Sequence, residues 1–242
     1  VCSSDLDHSL GYFKDGSLVG FLLVGSREID GKTVFYDVAT GVRKKYQGEG
    51  IGDELIKKIP KILSVNKGSR FILEVLENNV PAQNLYKKYG FQVVRKLKCY
   101  EYTIEKMEDE KDIKGDSLKE HFPLLKISIN DYCTFSPTWQ NSYVSYLNMK
   151  HCYAVVLEQE ENDFLGYGIV HKKNGSILQL GLNPNNRSIR ILKRIVEHLI
   201  QNTCSKVLKY LNIEENSIME TLVKDLGFRN IINQYEMEYI NK

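Results

Sequence analysis

The sequence has little that would tie it to a metal, a membrane or a nucleic acid. Its five cysteines, Cys2, Cys99, Cys133, Cys152 and Cys204, are scattered and lack any C-x-x-C spacing. They encode neither a disulfide framework nor a zinc site, and suit reduced thiols in a cytoplasmic protein. His121, His151, His171 and His198 show no metal-ligand spacing with cysteines or carboxylates, so no metal is expected. No apolar run approaches the ~18 residues of a membrane-spanning helix, and no signal peptide is visible. With 33 basic and 31 acidic residues the net charge is only +2, which argues against a nucleic-acid or membrane-surface partner. An initial methionine is also lacking. Val1-Cys2-Ser3-Ser4-Asp5-Leu6 resembles a common sequencing-library adapter translated in frame, and predicts a gene fragment whose residues 1–6 are foreign.

What is present is ordinary globular composition, 42% apolar and 26% charged over 242 residues. That length suits two domains of about 120 residues with cores that need no covalent staples. Two strands are predicted from Leu10 to Val24 around the turn Lys14-Asp15-Gly16-Ser17, and a third from Thr33 to Val42 after the turn Asp30-Gly31. Ile51, Leu55, Ile56, Ile59, Ile62 and Leu63 recur close to helical period, with Pro60 expected to kink or shorten the helix. A strand is predicted at Arg70 to Leu76. A helix then follows, capped by Asn79, with Pro81 in its first turn and Gly90 past its end. Phe91 to Lys96 and Cys99 to Ile104 read as a closing pair of strands.

The stretch from Glu105 to Glu120 is charge-rich and poor in apolar residues, so a linker is expected at 107–123 between domains at 1–106 and 124–242. Beyond it, Ser136-Pro137 predicts a helix running to Met149. Strands at Tyr153 to Glu158, Gly166 to His171 and Ser176 to Leu182 are expected next. A helix at Ser188 to Gln201, a strand at Val207 to Asn212, a short helix before Gly227-Phe228 and two final strands complete the series. The halves repeat. Asn79 to Gly90-Phe91 spans the same distance as Asn216 to Gly227-Phe228, and Gly41-Val42 matches Gly181-Leu182. An interval this long is a domain duplication, not a solenoid.

The sharpest segment is Gln47-Gly48-Glu49-Gly50-Ile51-Gly52, between a strand and a helix. Glycines there let backbone N–H groups converge without Cβ atoms in the way, and the helix N-terminus adds partial positive charge. The result is an anion seat suited to a pyrophosphate, with Lys44 and Lys45 just upstream for a further phosphate. A Walker loop would need Gly-Lys-Ser/Thr, and a dinucleotide fingerprint a glycine where Asp53 stands. A merely tight turn is the bland alternative.

This segment resembles the Q/R-x-x-G-x-G/A signature of GNAT acetyltransferases. Asn79-Val80-Pro81-Ala82-Gln83-Asn84-Leu85-Tyr86-Lys87-Lys88-Tyr89-Gly90-Phe91 resembles that family's N-x-x-A-x-x-L-Y-x-K-x-G-F pattern. The resemblance covers Leu10 to Glu105. It implies a mixed α/β (α+β) class: two acyl-CoA N-acyltransferase folds in tandem, each a mixed, mostly antiparallel twisted sheet flanked by helices. It further implies acetyl-CoA as cosubstrate, bound by Gly41, Val42, Gln47, Gly48, Glu49, Gly50, Ile51, Gly52, Asp53 and Asn79. Two strands would part to admit it, Ala39-Thr40-Gly41-Val42 pairing with the pantetheine arm and a nearby backbone N–H polarising the thioester carbonyl. Tyr86 is the implied proton donor to the leaving thiolate, or else a packed aromatic. Tyr89 reads as core. Asp37 and Glu74, on the parting strands, are candidate bases, with structural roles or a water chain as alternatives.

In the second copy Arg187 stands for Gln47, and Ser188, Arg190 and Leu192 for Gly48, Gly50 and Gly52. Val223 stands for Tyr86 and Met219 for Ala82. That half is expected to keep the fold without acetyl transfer, with Trp139 as a core anchor. The expected activity is acetyl transfer from acetyl-CoA to a primary amine, on a small molecule or a peptide, in a chain that a homodimer would also suit. The alternative is a non-catalytic CoA-binding or scaffolding module.

Overall fold

The computed structural model describes residues 7–29, 31–64, 69–105, 129–161 and 163–240. The linker expected at 107–123, the hexapeptide 1–6 and Asp30 of the second expected turn lie outside the described residues. The chain divides into two compact units, Val1–Lys96 with Gln234–Lys242, and Leu97–Asn233.

In the first unit β1 (Leu10–Lys14), β2 (Ser17–Ile29) and β3 (Lys32–Val42) form an antiparallel meander. A 3-10 turn at Lys44–Tyr46 leads to α1 (Ile51–Ile56) and α2 (Ile59–Leu63). The one helix expected here is thus two short ones. Pro60 has no N–H to continue the ladder, so it sits in the first turn of α2 and the chain re-forms around it. β4 (Arg70–Leu76) runs parallel to β3 and leads to α3 (Val80–Lys88). The core lies where α1, α2 and α3 meet the sheet, around Leu22, Phe35, Ile56, Ile59, Phe71 and Leu73.

The expected closing hairpin is absent. β5 (Phe91–Thr103) is one continuous strand. Lys96-Leu97-Lys98 holds no turn-forming residue, and the alternation runs straight on to bury Leu97 and Cys99. The first unit is completed instead by the chain's last strand, β10 (Arg229–Tyr239). Gln234 to Glu238 pair antiparallel with Leu76 to Ile72. Met237 enters the core of this unit, and Arg70 and Arg95 each fork onto a β10 carboxylate, Glu238 at 2.7 Å and Glu236 at 2.5 Å. The two final strands expected from the sequence are therefore also one.

The second unit has α4 (Ile129–Tyr132), α5 (Tyr143–Met149) and the antiparallel strands β6 (Tyr153–Glu160), β7 (Asp163–His171) and β8 (Ser176–Leu182). α6 (Ile189–Gln201), β9 (Val207–Glu214) and α7 (Ile218–Asp225) follow. Its α6 buries Ile191, Leu192, Ile195, Val196 and Leu199 along one stripe. The helix expected from Ser136 starts only after Ser142, whose Oγ accepts the Ser145 N–H at 3.3 Å. The stretch ahead of it instead buries Thr138, Trp139 and Asn141.

The repeat is legible strand by strand. Val38 is the extra residue of a bulge in β3, opposite Leu23 and Val24, and Leu178 the extra residue in β8, opposite Ile169 and Val170. Gly41 lies under the ring of Phe21 and Gly181 under that of Tyr167. A Cβ would meet those rings at 2.9 Å and 2.1 Å, so a side chain at either position would displace the ring above it. Gly90 and Gly227 follow their helices at the same φ of 97°.

Because Met237 lies at the chain's end yet in the first core, Met237→Ala is expected to destabilise the first unit by ~2–4 kcal/mol. Hydrogen exchange will show faster opening of β4 amides while those of α6 keep their protection.

Candidate active site

The site begins where β3 and β4 stop pairing. Val34, Phe35 and Tyr36 register with Arg70, Phe71 and Ile72, and the pairing ends there. From Ile72 onward β4 pairs with β10 on its other side, so Asp37 to Val42 face a gap. The bulge at Val38, on the β2 side of β3, falls in the same stretch.

At the mouth of the gap stands the glycine-rich turn. Gly48 and Gly50 have φ of 83° and 78°, in the left-handed region that side-chain residues avoid. A Cβ built on either would meet nothing within 4 Å, so the space above them is open. Gly50 is the N-cap of α1 and offers no side chain to its first turn. Among the described residues no protein acceptor takes the N–H groups of Gly48, Glu49, Gly50, Ile51 or Gly52. Five open donors at a helix mouth are a seat for an anion.

The side chains between the glycines are occupied elsewhere. Glu49 pairs with Lys14 of β1, and Lys14 and Lys45 lie over the Tyr46 ring at 5.4 and 5.2 Å. Ile51 is buried in the core. The Asp53 carboxylate binds Lys88 and accepts from Tyr89 Oη at 2.9 Å, and the Lys88 bond above all holds it below the usual carboxylate range. Glu49, Ile51 and Asp53 therefore have their side chains engaged away from the backbone N–H groups of the turn. Gln47 Nε2 donates to the Val42 carbonyl at 3.1 Å, tying the turn to the end of β3. Asn79 caps α3, its Oδ1 accepting from the Ala82 N–H at 3.3 Å. Tyr89, read as core, is half-buried and ties α3 to α1 through Asp53.

Tyr86 is 7% exposed and its ring lies 5.5 Å from that of Phe91. Its hydroxyl donates to Asp37 Oδ2 at 2.9 Å, and Thr40 Oγ1 donates to the same oxygen at 2.7 Å. Asp37 is 8% exposed, and its Oδ1 is buried with no hydrogen-bond partner. Burial pushes this carboxyl up to about 6 against the pull of its two donors. Burial first, then the Asp37 charge, raises the Tyr86 phenol well above its ordinary range. The other candidate, Glu74, accepts from Tyr36 Oη. The pairing of Asp37 with Tyr86 was beyond sequence reasoning. Its one local trace is an acidic residue inside the apolar run Val34-Phe35-Tyr36-Asp37-Val38.

The second unit differs at the acid pair and at the cap. Counting from the two bulges, Ile177 stands where Asp37 does and Val223 where Tyr86 does, and both belong to an apolar cluster. The N-cap of α6 is Ser188, whose own Oγ takes the Ile191 N–H at 3.4 Å. The cap thus aligns Ser188 with Gly50, a register two residues removed from the one expected, because the turn after β8 is shorter. β8 and β9 also part, after Ile177 and Tyr210. Asn141 bridges them, accepting from Gln179 Nε2 on its carbonyl at 2.6 Å and donating Nδ2 to the Leu211 carbonyl at 2.7 Å.

Parallel strands that part beside an open helix mouth define an α/β domain built to take an extended, anionic ligand. The comparisons agree. Residues 7–93 match the acetyltransferase (GNAT) domain. A spermine/spermidine N(1)-acetyltransferase of Bacillus subtilis (strain 168) is 34% identical over 89 residues, covering 34% of this chain and 58% of its own length. N-alpha-acetyltransferase RimI of Mycobacterium tuberculosis (strain ATCC 25618 / H37Rv) is 36% identical over 94 residues, covering 38% and 56%. The chain thus spans little more than half the length of these curated relatives. A GCN5-related N-acetyltransferase from Sphaerobacter thermophilus shares the fold over 94% of this chain and 80% of its own, at TM-score 0.64 and 13% identity. A tandem GNAT protein from the clavulanic acid biosynthesis pathway does so over 97% and 84%, at TM-score 0.57 and 13% identity. Residues 7–93 of the first unit are thus similar to the GNAT acetyltransferase domain, and the chain shares the fold of a tandem GNAT protein. No helix among the described residues is long and apolar enough to cross a membrane.

Asp37 also makes a stability prediction. Its folded carboxyl holds its proton up to about pH 6, whereas an unfolded aspartate releases it near ~3.9. The group's favourable contribution is complete below the unfolded value and lost as pH rises through the folded one. At pH 7 the ionised carboxylate therefore opposes folding by about 2–3 kcal/mol. Asp37→Asn is expected to raise stability at pH 7 by up to ~2 kcal/mol and by much less at pH 4, measured by urea unfolding at both pH values.

Proposed function

We propose that the first unit transfers an acetyl group from acetyl-CoA to a primary amine. The observation that carries this reading is the row of five unpartnered N–H groups at the mouth of α1, opening beside the parted strands. The cradle fits a coenzyme diphosphate, because its glycines leave open space where side chains would stand. Gly48, Gly50 and the backbone of Glu49, Ile51 and Gly52 would hold that diphosphate, and the β3 edge from Ala39 to Val42 would lie along the pantetheine arm. Acetyl-CoA supplies the activated acetyl thioester. The chain itself holds a protonated phenol at Tyr86 and a buried carboxylate at Asp37, a donor and an acceptor of protons beside the gap.

The acceptor class is drawn from the relatives. One is named for polyamines and one for protein N-termini. Both kinds are primary amines that must lose a proton on acylation, which suits a carboxylate in the gap. Because the second unit caps its helix with Ser188 and bridges its gap with Asn141, one coenzyme is expected per chain.

Calorimetry with CoA tests the seat. The expected result is one site per chain in the parent protein, and at least a ~100-fold loss of affinity in Gly50→Val, whose β-branched side chain opposes the left-handed φ and enters the open cradle. Undiminished binding by Gly50→Val would place the coenzyme elsewhere. Thiol release from acetyl-CoA with spermidine or with a peptide bearing a free N-terminus then identifies the acceptor.

A further inference from the structure

Asp53, Glu54 and Glu49 all lie at the glycine-rich turn, and each is held by a lysine, Lys88, Lys57 and Lys14 respectively. Glu49 differs from the other two in its place. It stands between the glycines, ahead of α1, and its own N–H is one of the donors without a protein acceptor. A carboxylate beside a helix mouth is drawn to the free N–H groups there. This one turns away from them. Among the described residues its one partner is Lys14, 35 residues earlier in the chain.

Lys14 owes its position to the hairpin. Asp15 and Gly16 have φ of 48° and 74°, so β1 and β2 join through a two-residue turn that pairs Lys14 with Ser17. Lys14 is therefore the last residue of β1, and its ammonium lies over the Tyr46 ring at 5.4 Å as it meets Glu49. Tyr46 in turn ends the 3-10 turn that leads into the glycines. Folding stability does not account for this ion pair. Both side chains are 42% exposed, and pairs of that kind contribute little. The whole arrangement falls within residues 7–93, which match the acetyltransferase domain.

Resting on the acetyl-transfer reading, we propose that Glu49 is a built-in competitor for the coenzyme's seat and that Lys14 is the positioning residue that holds it off. Released from Lys14, the Glu49 carboxylate would swing back onto the N–H groups of Ile51 and Gly52, as acidic side chains do at other helix starts. The diphosphate would then have to displace a carboxylate where it now meets open space. Lys14 makes no phosphate contact of its own in this scheme, and its effect passes through Glu49. A lysine that merely attracted the ligand by charge would do so whether residue 49 were acidic or not. A double-mutant cycle separates the two roles.

CoA binding to the full chain is measured by calorimetry at low salt for Lys14→Met, Lys14→Arg and Glu49→Gln, and for Lys14→Met combined with Glu49→Gln. Lys14→Met is expected to lose ~10-fold in affinity, and Lys14→Arg, which keeps the ion pair, less than ~2-fold. In the Glu49→Gln background the same Lys14→Met change should lower affinity by less than ~3-fold. A loss no smaller in that background, or no loss in Lys14→Met alone, would overturn the proposal. Nitrogen-15 NMR of the unliganded chains reads the competitor directly. The Ile51 and Gly52 amide protons should move downfield in Lys14→Met, as they gain an acceptor, and return toward their parent positions in the double variant. Unmoved amides in Lys14→Met sink the proposal whatever the coenzyme does. Failure of the parent chain to bind CoA defeats the acetyl-transfer reading, and the amide shifts still decide whether Lys14 restrains Glu49.

Discussion

The site depends on one constraint, that the backbone N–H groups from Gly48 to Gly52 find no acceptor inside the protein. A helix always begins with orphan donors, and most chains spend a side chain on them. Here the N-cap is a glycine, so nothing local can fold back onto the donors. Two residues ahead of the helix, Gly48 and Gly50, take left-handed φ, and the N–H groups of Gly48, Glu49 and Gly50 add to the orphan donors of the helix start. The side chains that might have closed the turn are held away, Glu49 by Lys14 and Asp53 by Lys88 and Tyr89. Five donors are thus left without a protein acceptor at the mouth of α1, where an anion would be favoured.

The second tension lies within the gap and has the opposite sign. A carboxylate buried without a counter-ion is destabilising, and the fold keeps it with two hydroxyl donors where a cation would have cost it its basicity. An arginine beside Asp37 would have held its carboxyl low and left a poor proton acceptor at neutral pH. Burial with neutral donors leaves it near 6, close to where a general base is most useful. The stability lost at this residue is small beside the apolar burial of Phe35, Phe71 and Leu73 around it.

Much of this was legible from residue types whose local physics is strong. The glycines of the turn, the Asn79 cap and Gly90 each answer to a backbone requirement within a few residues, and each was placed from sequence. So was the parting of the strands, through the resemblance those motifs carry. Errors fell where local signals were weak or where distant partners decide. Nothing in Lys96-Leu97-Lys98 breaks a strand, so the division of Phe91 to Ile104 into two strands was wrong. Ser136-Pro137 is a sound helix start by composition, yet the residues after it are drawn into buried contacts of Trp139 and Asn141. Asp37 and Tyr86 meet only because β3 and α3 pack together, which no window of sequence contains. The final strand is the extreme case, since its partner β4 lies 158 residues earlier at Gln234 and Leu76.

The duplicated unit separates what the fold needs from what the site needs. Gly41 and Gly181 are both retained because an aromatic ring lies across each, and Gly90 and Gly227 because each ends a helix in the same left-handed turn. The bulges at Val38 and Leu178 persist as well. These are conditions of assembly, and both units meet them. The cap, the carboxylate and the phenol are not. Where Gly50, Asp37 and Tyr86 stand in one unit, Ser188, Ile177 and Val223 stand in the other. The substitutions satisfy one donor, the Ile191 N–H, and fill space with apolar side chains. The second unit therefore serves as an internal control. The lone carboxylate oxygen is not a by-product of the architecture, since in the other unit apolar side chains stand where the carboxylate and the phenol do.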